Sequence, residues 1–568
     1  LMFRKILIAN RGEIAVRIAR TCRELGVRVV AVFSDVDAGA RHVSLADEAV
    51  HLPGVAPVET YLNVQAIIEA ALGVGAEAIH PGYGFLSERA DVAEAVTEAG
   101  LVWVGPPPEA SRAAGDKIRA RRLAESVGVA AVPGTLDPVA DAPEVMAFGE
   151  RYGYPVAIKA AGGGGGRGLK VARDAGEVEA ALESARREAQ AYFGYGDLYL
   201  ERYLARPKHV EVQVLAAGPG QATWLGARDC SLQRRHQKLV EETPPVRFTE
   251  VIPAMGAAAA AVADACGYVN AGTVEFLLDE DGSFYFLEIN ARLQVEHTIT
   301  EEVLGIDLVA EQLRIAAGEP MGFSGRQEPR GHAIECRINA EDPARGFRPS
   351  PGMIERYREP GGPGVRVDSG FGEGDEIPGA YDSLIAKLIA WGPTREDARR
   401  RMLRALEEYV IDGIRTTIPA HRILLGLPEF IDGSYTTRTV EGGALGSLIP
   451  ATMHRATDTT DGDEASASVL LVHGTPARLW NPAIAASVSA ASREAAGGQG
   501  AVVAPMHGTV LKVLVAEGDR VSAGDPVAVL EAMKMETHVA ATASGTVEAV
   551  KVQAGDVVES GEIVAVIG

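Results

Sequence analysis

The sequence predicts an α/β multidomain protein that ends in a small all-β barrel. Three observations lead there. Strand and helix signals alternate through residues 3–105, mixed strand and helix patterning continues to about residue 447, and the last 66 residues repeat themselves at a spacing of 37. The composition agrees: 568 residues, 47% hydrophobic and 23% charged, are globular and suggest about four domains. Fifty-five Lys+Arg against 77 Asp+Glu leave a net charge of −22. That argues against broad binding to nucleic acid or an anionic membrane, while a local basic site stays open. No apolar run reaches the roughly 18 residues of a membrane span; the most apolar stretch, 257–263, is cut by Asp264 and reads as a helix. The opening LMFRKILIANRGE has too short an apolar run for a signal-peptide core. Cys22, Cys230, Cys266 and Cys336 are far apart and form no CxxC, the expectation for reduced thiols in a cytoplasmic chain.

Taken in order, residues 5–9 (KILIA) form a first strand and 13–25 an amphipathic helix; 27–33, 76–79 and 101–104 are three more strands. Strands separated by helices predict a doubly wound parallel sheet. Its first turn, Asn10-Arg11-Gly12-Glu13, is not G-x-G-x-x-G, so nothing points to a dinucleotide. Residues 110–330 hold most of the candidate chemistry. From 450 to about 502 the chain turns Thr/Asp-rich and then Ala/Ser/Gly-rich and reads as a linker, with one small hairpin at 468–480. A flexible chain of about 50 residues spans on the order of 40 Å, enough to carry a group between distant sites. In the tail, Gly508-Thr509-Val510 recurs as Gly545-Thr546-Val547, Gly518-Asp519 as Gly555-Asp556, and Gly524 as Gly561. Two copies of one strand set related by a pseudo-two-fold make a flattened barrel, with Lys534 on the turn that joins them.

Residues 287–297 read LEINARLQVEH. Strand alternation puts Glu288, Asn290, Arg292, Gln294 and Glu296 on one face and Leu287, Ile289, Ala291, Leu293 and Val295 on the other. By itself that also describes an amphipathic strand with a solvated face. Asp281-Gly282 is a two-residue hairpin signal, and counting back from it pairs Leu278 with Tyr285, Phe276 with Leu287 and Glu275 with Glu288. Two carboxylates directly opposite repel by about 3 kcal/mol at ~5 Å and an effective dielectric of ~20. Solvent absorbs that on a surface; a cleft needs a cation. Two carboxylates with the Asn290 amide suit magnesium or manganese rather than zinc, which makes Glu275, Glu288 and Asn290 candidate metal ligands.

Residues 154–170, YPVAIKAAGGGGGRGLK, run a strand ending at Lys159 into five glycines, then Arg167 and Gly168. Backbone N–H groups of glycine can close around phosphate oxygens, although GxxxxGK[ST] is absent because the lysine comes first. A surface linker is the alternative; the basic flanks favour a mobile phosphate lid. KHVEVQVL (208–215) places His209, Glu211 and Gln213 on one strand face. RDCSLQRRHQKLVEE (228–242) gathers Arg234, Arg235, His236 and Lys238 in an acidic chain, read as a local anion site against the alternative of a solvated basic patch.

In order, HPGYGFLSE (80–88), GDK (115–117), IKAAGGGGGRG (158–168), ERYL (201–204), HVEVQVL (209–215), RDCSLQRRHQK (228–238), EINARLQVEH (288–297) and HAIECRINAEDP (332–343) resemble the ATP-grasp ligases, and specifically biotin carboxylase, over about residues 3–447. The tail resembles the biotinyl carrier domain, marked by Met533-Lys534-Met535; lipoyl domains lack the second methionine. The resemblance implies a pre-ATP-grasp domain at 1–115, an ATP-grasp α+β domain with a glycine-rich lid at 116–331, a biotin carboxylase C-terminal α+β domain at 332–447, a linker at 448–502 and a biotinyl barrel at 503–568. It implies that Lys117 and Lys159 contact ATP phosphates with Gly165 and Gly166 closing over them. Glu201, Arg202, Tyr203 and Leu204 would be the adenine hinge, and His209, Gln233 and His236 would line the nucleotide site. Glu275, Glu288 and Asn290 fall on the family's metal ligands. Lys238, Arg292, Gln294 and the Val295 backbone would hold bicarbonate, Glu296 would deprotonate it, and Arg337 would stabilise the biotin enolate.

On that resemblance the chain uses ATP, Mg2+ or Mn2+ and bicarbonate to carboxylate biotin covalently held on Lys534. No stretch is left over for a carboxyltransferase, so a separate beta subunit is expected to supply it. The resemblance is nearest the alpha subunit of bacterial acyl-CoA carboxylases acting on acetyl- or propionyl-CoA. A biotin protein ligase would attach biotin, acyl-CoA would be met only through the partner, and the whole would be an oligomeric complex. The alternatives are the biotin carboxylase subunit of a pyruvate or methylcrotonyl-CoA carboxylase, a generic ATP-grasp amino-acid ligase without biotin on Lys534, and a non-catalytic biotinylated carrier or scaffold.

Overall fold

A computed structural model describes the chain except residues 1, 136, 161–168, 194–196, 236, 447–466, 473–474, 481–500, 505–507, 533–534 and 559–561. It divides into two compact units, the first comprising Leu1–Pro378 and Ser383–Leu448, the second Ile449–Gly568 with Gly379–Asp382.

The first unit opens with a parallel sheet of β1 (Lys5–Ile8), β2 (Arg28–Phe33), β3 (Glu48–His51), β4 (Ala78–His80) and β5 (Val102–Trp103) in the order β3-β2-β1-β4-β5. Ile14, Ile18 and Cys22, four apart on the helix Gly12–Glu24, make its buried stripe. β3 was not anticipated: it is a four-residue edge strand, EAVH, alternately half-buried and exposed, with no apolar run to announce it. The β1 turn serves the fold. The Asn10 side-chain amide donates to the carbonyls of Pro81 and Tyr83, both at 2.7 Å, and fixes the loop after β4.

A three-stranded antiparallel sheet follows, with β6 (Val156–Ala160) between β7 (Leu169–Ala172) and β8 (Leu198–Arg202). The main body is an eight-stranded antiparallel sheet. It contains β9 (Lys208–Ala216), β10 (Ala222–Arg234), β11 (Gln237–Thr243), β12 (Asn270–Leu278), β13 (Phe284–Asn290), β14 (His332–Asn339), β15 (Val365–Ser369) and β16 (Leu384–Gly392), in the order β13-β12-β9-β10-β11-β14-β16-β15. Alternation divides the sheet's two faces. Val210, Val212 and Val214 of β9 pack on Met255, Ala259 and Val262 of the helix Ile252–Ala265, the helix expected from the alanine run. His209, Glu211 and Gln213 face the other way.

The β12–β13 hairpin corrects two pairings. Its loop has three residues, not two. The Gly282 N–H donates to the Asp279 carbonyl at 3.1 Å, the Asp279 N–H donates to the Ser283 carbonyl at 2.8 Å, and Gly282 takes φ +84°. Leu278 therefore pairs with Phe284, not Tyr285, and Phe276 with Phe286, not Leu287. A bulge at Leu287 restores the count, and Glu275 does lie opposite Glu288. The longer loop and the bulge cancel at the pair that matters.

In the second unit, Ala501–Val503, Ile563–Ile567, Gly545–Val550 and Arg520–Val521 form one four-stranded sheet, and Met535–Ala540, Pro526–Ala532, Gly508–Val513 and Val557–Val558 the other. The repeat is literal. Gly518 N–H donates to Val547 C=O at 2.8 Å and Gly555 N–H to Val510 C=O at 2.7 Å; Asp519 accepts from Ala516 N–H and Asp556 from Gln553 N–H, both at 2.8 Å. Each bond has its counterpart in the other copy, with every residue displaced by 37, and each copy contributes two strands to each sheet. Ala532 pairs with Met535 across the join, while Met533 and Lys534 lie outside the described residues. The hairpin expected in the linker is present as Ala467–Val472 against Thr475–Trp480.

Candidate active site

The polar face of β9 builds a buried charge network. His209 Nε2 lies 2.8 Å from Glu275 Oε2 on β12. Glu211 accepts from Arg228 Nε and from Lys238 Nζ, each at 2.6 Å; Arg228 also donates to Gln213 Oε1 at 2.8 Å and Thr300 Oγ1 at 2.9 Å. Lys238 is the hub, reaching Glu275 Oε1 at 3.0 Å and Glu296 Oε1 at 2.7 Å besides Glu211. The second oxygen of Glu296 accepts from Arg337 Nη2 at 2.9 Å. Glu296 is the residue before the helix His297–Leu304, and strand β13 has already ended at Asn290. Turns, not an extended strand, carry Arg292, Gln294 and Glu296 into the site. Asn290 Nδ2 and Gln294 Nε2 donate to Glu275 Oε1 at 2.9 and 3.1 Å. Arg292 donates to Gln294 Oε1 at 2.6 Å and Asn290 Oδ1 at 3.1 Å. The Val295 carbonyl accepts from Lys387 Nζ at 3.1 Å, and Lys387 pairs with Glu13 at the same distance.

The electrostatics follow from this crowding. Burial works against the Lys238 ammonium, yet Glu211, Glu275 and Glu296 hold its pKa well above the ordinary lysine value. Burial likewise opposes ionisation of Glu275, but Lys238 and His209 hold it below the usual carboxylate range. Glu296 is held well below its ordinary value against burial by Lys238, Arg337 and Arg228. Glu288 is the exception: burial and the Glu275 charge push it up, and its nearest cation, Lys117, is 3.8 Å away. A carboxylate between two cations, beside a partly exposed guanidinium, can hold a small oxyanion and accept a proton from it.

Glu275, Glu288 and Asn290 fit a hard divalent cation. Glu288 carries negative charge that the described cations leave poorly neutralised, and it sits directly across from Glu275. In this arrangement the Asn290 NH2, not its oxygen, faces Glu275; turning the amide over presents the oxygen.

The nucleotide residues divide. Lys159 on β6 donates to the Glu201 carboxylate on the neighbouring β8. Arg202 bonds the Tyr285 hydroxyl at 2.9 Å and Asp279 at 3.1 Å. The Tyr203 N–H donates to the Pro155 carbonyl at 3.0 Å, with the Arg438 guanidinium 4.8 Å from its ring, and Leu204 is buried. Gln233 is buried and pairs with Lys238 on the next strand. Gly165, Gly166 and His236 lie outside the described residues. The expected basic cluster is split. Lys238 turns inward, whereas Arg234 donates to the Gly346 carbonyl at 2.9 Å beside the Phe347 ring, and the Arg235 N–H donates to Glu441 at 3.2 Å.

Several buried groups were assigned no role from the sequence: Glu211, Arg228, Glu241, Glu335 and Lys387. Glu211 alone carried a signal, two residues from His209 on one strand face. Glu241 carried none. Simple alternation sets it on the opposite face from Lys238, but Leu239 is an extra residue in β11, and both side chains reach partners of the Glu296 cluster.

Comparison with known proteins gives four family matches along the chain. Residues 2–111 match "Biotin carboxylase, N-terminal domain", 116–323 "Carbamoyl-phosphate synthase L chain, ATP binding domain", 335–442 "Biotin carboxylase C-terminal domain" and 500–567 "Biotin-requiring enzyme". The biotin-dependent acyl-coenzyme A carboxylase alpha3 subunit of Mycobacterium leprae is 47% identical over 559 residues, 94% of each chain. One subunit of the pyruvate carboxylase of Methanothermobacter thermautotrophicus is 49% identical over 442 residues, 78% of this chain and 90% of that one. The biotin carboxylase domain of a thermophilic 2-oxoglutarate carboxylase bound to bicarbonate superposes with a TM-score of 0.75 at 46% identity, covering 79% of this chain and 100% of that one. No described helix is long and apolar enough to cross a membrane. With the buried lysine–carboxylate network and the repeated barrel, these matches lead to one conclusion: the chain belongs to the biotin carboxylases of the biotin-dependent carboxylase family and carries its own C-terminal biotinyl domain.

Proposed function

We propose that this chain is the alpha subunit of an acyl-CoA carboxylase, that it carboxylates biotin attached to Lys534 at the expense of ATP and bicarbonate, and that a separate carboxyltransferase beta subunit passes the carboxyl group to acetyl- or propionyl-CoA. The observation that carries the first half is Glu296, gripped by Lys238 at 2.7 Å and Arg337 at 2.9 Å. While gripped, Glu296 is a weak base. An oxyanion that draws Lys238 and Arg292 onto itself relieves Glu296 of positive charge and raises its basicity where a proton must be taken.

In this reading Lys117 and Lys159, with the amides of Gly165 and Gly166, neutralise the ATP phosphates, and a divalent ion at Glu275, Glu288 and Asn290 supplies further positive charge. Residues 201–204 seat the adenine, and His209, Gln233 and His236 line the same site. Lys238, Arg292, Gln294 and the Val295 amide hold bicarbonate, and Glu296 takes its proton as its oxygen attacks the γ-phosphorus, giving ADP and carboxyphosphate. Loss of phosphate releases CO2 beside Arg337. Biotin would supply the ureido nitrogen that accepts it, the N–H proton passing to the phosphate just released, and Arg337 places a fixed positive charge where the ureido oxygen gains negative charge. The glycine lid excludes water. The domains fall at 1–115, 116–331, 332–447 and 503–568 about a 448–502 linker. A biotin protein ligase modifies Lys534, and the working form is a cytoplasmic oligomeric complex.

The acyl-CoA acceptor rests on the match to an alpha3 subunit over 94% of this chain, whereas the pyruvate carboxylase match covers 78%. Bicarbonate-dependent ATP hydrolysis with free biotin tests the carboxylase half. It is expected in the wild type and lost in Glu296→Ala and Arg292→Ala with nucleotide binding intact; a wild type indifferent to bicarbonate overturns the reading. The isolated chain should carboxylate no acyl-CoA until a beta subunit is added. Intact mass should show one biotin in the wild type and none in Lys534→Arg.

A further inference from the structure

Behind Arg337 lies a pair of carboxyl groups that the proposed reaction does not use. Glu241 on β11 and Glu335 on β14 stand directly opposite each other on adjacent strands, and both are fully buried. Arg337, two residues from Glu335, donates to Glu241 Oε1 at 2.7 Å and to Glu296 Oε2 at 2.9 Å, so one guanidinium links the pair to the candidate base. Glu335 accepts from the hydroxyl of Thr298, the second residue of the helix that follows Glu296. The remaining oxygens, Glu241 Oε2 and Glu335 Oε1, have no hydrogen-bond partner among the described residues.

Charge decides what these oxygens are. In the described interior, Glu211, Glu241, Glu275, Glu296 and Glu335 face Arg228, Lys238, Arg337 and a His209 whose pKa Glu275 raises against the opposing effect of burial. Lys387 is committed to Glu13. With Glu275 set aside for His209 and the candidate metal position, Glu211, Glu241, Glu296 and Glu335 still outnumber Arg228, Lys238 and Arg337 by one. Glu275 and Glu296 touch Lys238 and keep their charge most readily; Glu241 and Glu335 repel each other and share one guanidinium. The other charged or titratable groups that act on them are Lys238 on β11, Lys387 on β16, Cys230 on β10, Cys336 on β14 and Glu296 from the turn.

We infer that Glu241 and Glu335 hold one proton between them and act as positioning residues for Arg337, leaving its charge free for Glu296 and for the substrate beside it. The inference rests on the biotin carboxylase reading. Burial, outweighing Arg337, raises Glu241 to about 8, and burial, outweighing Lys387, raises Glu335 to about 7; because the two repel each other, the pair gives up its last proton only in that range, just above neutrality. With both ionised, Arg337 is drawn towards the pair and its charge is spent there.

The test is the pH profile, from pH 6 to 9.5, of biotin- and bicarbonate-dependent ATP hydrolysis. The wild-type kcat should fall on the alkaline side with a midpoint between about 7 and 8, approaching tenfold per pH unit. Glu335→Gln removes the repulsion that Glu335 exerts on Glu241 and, with Glu241 ionised, has the net charge of the singly protonated pair; it should match the wild type at pH 6.5 and lose that fall. Glu335→Asp should restore it. A purely structural role would lower activity evenly across pH. An alkaline fall that persists in Glu335→Gln overturns the inference while leaving the carboxylase reading intact; a wild type without bicarbonate-dependent hydrolysis overturns the reading beneath it. Infrared spectra of the wild type need no variant to fold. A protonated-carboxyl band present at pH 6.5 and lost by pH 9 is expected, and its absence at pH 6.5 overturns the inference.

Discussion

Replacing Lys238 with methionine keeps the volume of the hub and removes its charge. Each of its contacts, at 2.6, 2.7 and 3.0 Å, has a gross attraction of about 6 kcal/mol at an effective dielectric of ~20. Most of that offsets the cost of burying the ions and the repulsion among the three carboxylates. Removing one partner of a buried pair still costs about 3–5 kcal/mol, because the other charge is stranded. The stranded groups respond by taking up protons, so the loss depends on pH. In the wild type Glu275 and Glu296 have lowered native pKa values, so their contribution is present above the ordinary carboxylate range and fades only as pH falls through those low values. In Lys238→Met the same groups have raised values and bind protons at neutral pH, so stability falls as pH rises. Urea unfolding at pH 6 and pH 8.5 should show the variant about 3–5 kcal/mol less stable at pH 8.5 and visibly closer to wild type at pH 6. Bicarbonate-dependent ATP hydrolysis should drop by about 10²-fold or more. Equal destabilisation at both pH values would refute the picture of one ammonium holding three ionised carboxylates.

Three further outcomes are expected. Arg337→Met should lower biotin-dependent turnover about 10²-fold while leaving nucleotide affinity unchanged, because Arg337 touches Glu241 and Glu296 and none of the strand residues around Lys159; binding of a nucleotide analogue checks this. Glu288→Gln removes the charge repulsion at Glu275, so the empty variant should be no less stable than wild type, yet its apparent Mg2+ or Mn2+ affinity in the ATPase assay should fall by about 10- to 100-fold, and EDTA should silence the wild type. Glu241 and Glu335, raised from an ordinary 4.5 to about 8 and 7, bind protons in the native chain that the unfolded chain has already released. Their contribution to stability is therefore greatest below about pH 4.5 and declines as pH rises to about 8, by up to a few kcal/mol; denaturation midpoints of wild type and Glu335→Gln should agree at the acid end of that range and part as pH rises, the wild type becoming the less stable, if the assignment holds.

Much of the fold was legible because it is written in local periodicity. Four of the five N-terminal strands, the alanine-rich helix, the linker hairpin and the repeated barrel all carry their own pattern. The edge strand Glu48–His51 did not, because a half-buried strand with one neighbour needs little apolar sequence. The hairpin at Asp281-Gly282 was recognised but miscounted, since a three-residue loop and a two-residue loop share that dipeptide and a bulge at Leu287 has no composition of its own.

The sequence by itself determined which residue types lie near one another along the chain: an acid and an amide on one strand face, a histidine and an acid on another, a lysine between two methionines in a repeat. It also determined the family, through the order of its motifs. Only the tertiary structure decided which charges meet. Lys238 is drawn from β11, Glu211 from β9, Glu275 from β12 and Glu296 from the start of a helix, and the spacing between them in sequence says nothing of their common point. Glu241 joins them because Leu239 is an extra residue that resets the alternation. Charge balance is a property of the three-dimensional interior, where solvent no longer screens each group separately, and one surplus carboxyl must keep its proton.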